Sequence, residues 1–397
     1  MAQTYKFGNG TWATKKGSTL AYSDTNNAFK PLPFSFERNS IATRVNKEGL
    51  IEVVGNDIPR IDYTDSTEGA LLLENSATNL INYSEDFTQW ATFDCVVSST
   101  SNTQPNGKSS GYIATYSSNS SVVRYFSTVA SGTSYIFTAW VKSNQNGTIK
   151  MARSNQPNDG AYINVTTEWK RFEVQITPTS SNDGGGFYRL SDSDLNSIEI
   201  WGAQLEANSV ASSYIPTNGS TVQRSAETCN GSGNSEVFND SQGVLFVEGV
   251  INNDDGTSNN ITLGDGTFSN NRMMLLFSNG VANRISARFD SSGSDVTLNA
   301  DGYDLTINHK VVLKYKANDI AIWVDGFEIN SGNSFSAPSL LNTIDLYNPF
   351  NGGQDNFYGK TKEIAYYDEI LTDAELEYLT SYRSLNEMVT ELNLNAL

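Results

Sequence analysis

Short runs of alternating apolar residues, cut apart by clusters of Asn, Gly, Ser and Pro, constrain this chain most. Between residues 79 and 225 the runs are Ser121–Phe126, Tyr135–Lys142, Thr148–Arg153, Trp169–Ile176, Gly186–Leu190 and Ser197–Trp201. Runs this short and this close are strands of an antiparallel sandwich. Within Tyr135–Val141, Tyr135, Phe137, Ala139 and Val141 share one face and Trp140 lies on the other, because strand side chains alternate. A second series follows: Gly243–Val250, Arg272–Phe277, Arg284–Phe289, His309–Tyr315, Asp319–Val324, Thr343–Tyr347 and Thr361–Tyr367. Asp325-Gly326 between two strand-like halves signals a type I′ hairpin. No fixed-period repeat is present, which argues against a propeller or solenoid.

At 397 residues the chain is too long for one ordinary core. The division expected is 1–78, 79–225, 226–371 and a tail, 372–397. In 1–78, Asn46-Lys47-Glu48-Gly49 separates two strand signals and reads as a hairpin turn. That region is short of core for independent folding, so it should pack on the next domain or on another subunit. Helix is scarce. Thr372 and Glu375 form a capping box, with Leu371 and Leu376 as its staple. Leu376, Leu379, Tyr382, Leu385, Met388, Val389 and Leu392 then continue an apolar stripe. The stripe either folds back on its own sandwich or forms an oligomer seam.

Acidic residues outnumber basic ones 44 to 26, a net charge of −18. That opposes nucleic acid and anionic membranes, since phosphate binding needs clustered Lys and Arg. No run reaches the ~18 apolar residues of a membrane span. The first residues lack an apolar h-region, so no secretory signal is expected. Cys95 and Cys229 are too few for a disulfide framework.

His309 is the only histidine and opens an apolar strand, so it reads as structural. Histidine-based catalysis is thereby set aside. Glycosidases need only two carboxylates ~5–10 Å apart. The nearest groupings are Glu363 with Asp368 and Glu369, and Asp301 with Asp304. Neither has the alternate-position pattern of a jelly-roll glucanase, so catalysis is the lesser reading. No cofactor is expected beyond a structural calcium, for which Asp254 and Asp255 are candidates, beside Asp192 and Asp194. As turn formers these aspartates also suit plain solvated loops.

Ile198-Glu199-Ile200-Trp201-Gly202-Ala203-Gln204-Leu205-Glu206, followed by Ala211–Thr217, resembles the last strand and exit segment of a carbohydrate-binding-module-like sandwich. Tailed-bacteriophage tail and fibre proteins carry a similar run. Arg38–Asn46, Gly49–Glu52 and Pro59–Tyr63 resemble the segment that precedes such modules in phage virion proteins. The order of strands in 240–380, with the Asp325-Gly326 hairpin, Ile364–Glu369 and the Leu371–Ser381 helix, is similar to a laminin-G/concanavalin A-like jelly roll. The fold expected is all-β: two antiparallel β-sandwich domains in tandem, a small N-terminal attachment segment and a short C-terminal helix.

The resemblance implies a non-enzymatic virion protein, a fibre- or spike-type adhesin touching host surface polysaccharide. It would be made and assembled in the host cytoplasm. Residues 1–78 would meet other virion proteins, and a homo-oligomer, trimeric by preference, would give avidity. A capsid-decorating or tail structural subunit is the alternative, and a depolymerase the lesser one. Modules of this kind hold calcium near the chain entry, where Glu85 and Asp86 stand. They bind sugar on exposed rings. Trp140 and Trp201 occupy core positions, which leaves Trp90, Tyr112, Tyr116 and Tyr188 as contacts. In the second sandwich, Tyr347, Phe350 and Tyr358 flank the Asn351–Asn356 loop.

Overall fold

A computed structural model describes residues 3–64, 66–267, 271–291, 294–348, 355–392 and 394. Strand makes up 50% of the chain and helix 6%, so the molecule is all-β. It divides into two compact units. Unit one is Met1–Asn39, Asn56–Asn75 and Ala226–Leu397; unit two is Ser40–Gly55 and Ser76–Ser225. This differs from the division expected of the sequence, which made 1–78 one segment. The reason is pairing: the segments either side of the 40–55 hairpin lack a core of their own and complete sheets in unit one.

Unit two is a sandwich of two five-stranded antiparallel sheets. One runs Ala91–Phe93, Ser121–Arg124, Gly185–Arg189, Gly147–Arg153, Gln156–Val165; the other Cys95–Thr100, Gly111–Tyr116, Ser197–Glu206, Tyr135–Lys142, Lys170–Ile176. Alternation does the sorting: Tyr135, Phe137, Ala139 and Val141 point into the core between the sheets. Trp140 points outward, where it joins Trp201, Tyr214 and Ile51 in a second apolar cluster. Ile51 comes from the hairpin Ala42–Val45/Ile51–Val54, whose turn is the one expected at Asn46–Gly49.

The Ile198–Glu206 run owes its form to that outer cluster. Opposite Trp140 the register slips by a bulge between Thr138 and Trp140. Gly202 sits there at φ +62°, and a Cβ on it would come within 3.0 Å of the Trp140 ring. Only glycine meets both demands cheaply. Past the bulge, buried Gln204 accepts from the Ile215 backbone N–H at 2.7 Å. Glu206 accepts from the Ser212 N–H at 2.8 Å and its hydroxyl at 2.7 Å. The exit segment is ordered because these two polar side chains hold its backbone.

In unit one, a 12-stranded sheet carries the N-terminal strands beside the C-terminal ones. Tyr5–Gly8 pairs with Gly359–Tyr367, Tyr5 opposite Tyr366. Gln242–Ile251 pairs on the far side of Gly359–Tyr367, and His309–Lys316, Asp319–Val324 and Phe327–Gly332 follow. A five-stranded sheet of Ser294–Asp301, Arg284–Ser291, Arg272–Phe277, Asn259–Gly264 and Thr343–Asp345 faces it. Phe7, Phe34, Phe36, Leu245, Phe277 and Phe289 lie in the single core between them. Asp325 and Gly326, at φ 49° and 91°, make the turn their dipeptide announced.

The large sheet's other face is also apolar. Val244, Phe246, Val312, Trp323 and Tyr367 are covered there by Leu371, Leu376 and Leu379. The last two lie on the helix Asp373–Thr380, which Thr372 and Glu375 start with the expected capping box. Burying those two leucines contributes roughly 2 kcal/mol each. The first half of the C-terminal stripe thus folds back on its own sandwich. The second helix, Leu385–Glu391, buries no residue. Ion pairs tie it down, Glu387 to Lys310 at 2.6 Å and Glu391 to Lys362 at 2.6 Å.

A fully buried charge network joins the chain segments of unit one. Glu227 accepts from Arg38 Nη1 at 2.7 Å, from Arg60 Nε at 2.9 Å and from the Glu74 N–H at 2.9 Å. Arg60 also meets Glu74 at 2.8 Å. Arg38 and Arg60 belong to the N-terminal motifs, and each stands close to a point where the chain passes from one unit to the other.

Candidate functional site

An open groove of about 940 Å³ lies in unit two. Its walls are Glu85 and Asp86, the hairpin residues Ser99–Ser101 and Ser109–Gly111, Tyr112, Ile41 and Pro216–Asn218. Three residues singled out from the sequence, Glu85, Asp86 and Tyr112, therefore share one surface. Ser99 stands opposite Tyr112, and Thr100 opposite Gly111, across the antiparallel pair. That register brings the hydroxyls of both strand ends to one rim.

Each carboxylate is held in place. Glu85 Oε1 accepts from the buried Tyr214 hydroxyl at 2.9 Å. Asp86 caps the 3₁₀ turn Phe87–Gln89, accepting from the Thr88 N–H at 3.1 Å and hydroxyl at 2.6 Å. Burial acts to raise the Asp86 carboxyl, but the bonds from Thr88, Tyr112 and Gln89 outweigh it and hold it below its usual value. Burial, with the Asp86 charge, raises the Tyr112 hydroxyl. Tyr112 keeps one part of its ring on the core, 6.3 Å from Phe87, and is half-buried. The arrangement offers two carboxyl acceptors, several hydroxyls and one aromatic ring, which suits a polyhydroxylated ligand.

Trp90, Tyr116 and Tyr188, by contrast, are not surface groups. Trp90 is 5% exposed, packs on Phe87 and Phe137, and donates its indole N–H to the Tyr83 carbonyl at 3.1 Å. Tyr116 is buried in the core beside Cys95. Tyr188 lies flat on its sheet, its hydroxyl donating to the carbonyls of Arg153, at 2.8 Å, and Ser154. A polar-looking sequence setting misled here, because Trp90 closes the 3₁₀ turn Phe87–Gln89 with its ring on the core, strand alternation placed Tyr116 inward, and small neighbours let Tyr188 lie down. Tyr347 and Tyr358 are half-buried, Tyr358 against the unit-one core. Phe350 and residues 351–354 of the flanked loop lie outside the described residues. The groove's serines and Ile41 were missed; a Ser/Thr-rich hairpin reads as a mere connection.

Among the described residues no group of three or more His, Cys, Asp or Glu could hold a metal ion. Asp254 accepts from the Ser278 hydroxyl at 2.6 Å and from the Asn283 N–H. Asp255 accepts from the Thr257 N–H at 2.8 Å, bonds that lower its carboxyl. Asp194 accepts from Thr148. Each clasps a turn. His309 is buried between Asp325, 2.7 Å from Nδ1, and the Asp304 carbonyl, 2.9 Å from Nε2.

Glu363 pairs not with Asp368 or Glu369 but with Glu248, directly opposite on the neighbouring strand. Both border a 310 Å³ cleft in unit one, along with Lys310, Lys362, Glu387 and Glu391. Burial and the Glu248 charge push Glu363 up to about 7. Burial raises Glu248 too, against Lys310 and Lys362.

No helix among the described residues is long and apolar enough to cross a membrane. No family model and no curated protein sequence matches the chain. Among solved structures, the CBM40 of the Ruminococcus gnavus IT-sialidase, bound to alpha2,3 sialyllactose, is 16% identical, with a TM-score of 0.33 over 36% of this chain and 84% of that one. The leech intramolecular trans-sialidase is 16% identical, with a TM-score of 0.31 over 37% of this chain and 24% of that one. Domain 4 of AbnA, a GH43 extracellular arabinanase from Geobacillus stearothermophilus in complex with arabinotriose, is 13% identical, with a TM-score of 0.31 over 39% and 73%. At such low scores none of these likenesses carries a function across to this chain.

Proposed function

We propose that this chain is a non-catalytic, glycan-contacting protein of a phage particle, and that the groove beside Tyr112 is its contact surface. The supporting observation is the convergence of Glu85, Asp86, Tyr112 and the rim hydroxyls of Ser99, Thr100, Ser109 and Ser110 on one open groove. The phage reading rests on the motif resemblances around Arg38, Arg60 and Ile198–Glu206. Weak contact of this kind becomes useful when several copies act together, so a homo-oligomer, a trimer by preference, fits the role. Unit one, with the N-terminal strands built into it, is the part proposed to join other virion proteins. A calcium ion at Glu85 and Asp86 belongs to the same proposal.

The test is calorimetric titration of the full chain with capsular or wall polysaccharide from the host bacterium. Tyr112→Ala with Asp86→Asn should weaken binding about tenfold, the loss of one good contact. Unchanged affinity in that variant, with melting also unchanged, would remove the groove.

Hydrolysis is the second reading, because Glu248 and Glu363 stand opposite one another and Glu363 is pushed up to about 7. Against it, the cleft's two lysines are already tied to the helix Leu385–Glu391. Release of reducing ends, abolished by Glu363→Gln, would establish it.

A further inference from the structure

Unit two has another surface, on the sheet that does not carry the groove strands. Its register places Phe93 opposite Val122, Val122 opposite Tyr188, Tyr188 opposite Lys150, and Lys150 opposite Tyr162. Residues directly opposite one another point to the same face. Their sequence neighbours Val123, Phe187, Met151 and Ile163 are in the core, so this row is on the outside. It runs across all five strands. At ~4.8 Å per strand it extends roughly 19 Å between the end strands, the reach of an oligosaccharide rather than of one ring.

The row ends in two open rings, Phe93 at 58% and Tyr162 at 38% exposure. Apart from Arg124, the next row is small: Ala91, Gly186, Ala152 and Gly160. A Cβ on Gly160 would lie 2.3 Å from the Met151 carbonyl oxygen, so the floor must stay flat. Arg124 crosses that floor, donating to the Ser154 carbonyl at 2.7 Å. Lys150 Nζ donates to the Gly160 carbonyl at 3.0 Å and stands 4.8 Å from the Tyr162 ring centre. Among the described residues neither cation is in an ion pair. In a chain of net charge −18, two cations without carboxylate partners on one open face mark a place for negative charge. The carboxylates nearby are Asp192, whose charge acts on Tyr162, Asp183, whose charge acts on Tyr188, and Asp159, which is held by Arg153 at 3.4 Å.

We propose that this face is a second binding surface that takes an extended acidic polysaccharide lying across the strands. Phe93 and Tyr162 stack on sugar rings, and Lys150 with Arg124 meets the carboxylates. Flat rings at the ends and cations between them match a polymer of acidic sugars, because each ring supplies an apolar face and each acid a charge.

The test is affinity electrophoresis of the full chain through gels holding polygalacturonate, alginate, hyaluronate or neutral dextran. At least one of the acidic polymers should retard the protein, and dextran should not. Phe93→Ala with Tyr162→Ala should weaken that retardation about tenfold, and Lys150→Gln by a similar factor. Tyr162→Phe, which keeps the ring, should retain it. Phe327→Ala, an exposed ring of unit one, should leave it unchanged. All these side chains are wholly or partly exposed, so melting temperatures should hold. The proposal is overturned if no acidic polymer retards the protein, if dextran does so equally, or if the ring and Lys150 variants migrate as wild type.

Discussion

The two units treat the outer face of a sheet in opposite ways. In unit one, Val244, Phe246, Val312, Trp323 and Tyr367 make that face apolar, and a helix closes it with Leu376 and Leu379. In unit two, Val122, Ala152 and Tyr188 form a small cluster with Leu190 against it, and Phe93 and Tyr162 stay open at the ends. A covered face stabilises its own fold, and an open one is available to a ligand. On the reading proposed above, structure belongs to unit one and contact to unit two. Substitutions should divide the same way, costing stability in the first and binding in the second.

The largest effect should come from Glu227→Ala. It leaves Arg38 and Arg60 buried without their shared carboxylate, which costs about 3–5 kcal/mol. Thermal melting should show unit one collapsing first; a fall below about 1 kcal/mol would show that the network is not what joins its segments. Next is the helix cover. Leu376→Ala should cost about 2–5 kcal/mol through the cavity it opens, whereas Leu385→Ala, on the exposed second helix, should stay within about 0.5 kcal/mol. Similar losses from both would mean that the second helix is also packed, as an oligomer seam would require.

A smaller effect should appear with pH. Glu363 is pushed up to about 7 and Asp345 to about 6, both by burial first. A carboxyl raised on folding binds more protons in the folded state, so its contribution is present below the unfolded value and lost as pH rises through the folded one. Stability should therefore fall between about pH 4.5 and 7, with Glu363 accounting for up to about 3 kcal/mol. Glu363→Gln should flatten that part of the curve in chemical-denaturation titrations; an unaltered slope would show that Glu363 ionises freely. The smallest effect on stability should be that of Phe93→Ala, within about 0.5 kcal/mol, because its ring is open to solvent.

Much of the fold was legible. Alternation sorted Tyr135–Val141 correctly, Thr372 capped its helix, and Asp325-Gly326 turned its hairpin, because each depends on neighbours in the chain. The separate 1–78 segment was not legible as wrong, since the pairing of Tyr5 with Tyr366 spans the whole chain. The site was read less well. Glu85, Asp86 and Tyr112 share one groove, but Trp90 and Tyr116 turn into the core and Tyr188 lies down on the outer face of its sheet. Whether an aromatic strand residue faces core or solvent depends on register and on the size of cross-strand neighbours, as at Tyr188 over Gly186 and Ala152. Phe93 and Tyr162 escaped notice for the same reason, their shared row existing only once five strands are aligned.

The most direct test is hydroxyl-radical footprinting of the full chain with and without host surface polysaccharide. If contact belongs to unit two, protection should appear at Tyr112 in the groove and at Phe93 and Tyr162 on the open face. Tyr378, Phe327 and Leu385, exposed on unit one, should react as before. Protection confined to the unit-one residues, with Tyr112, Phe93 and Tyr162 unchanged, would contradict the account.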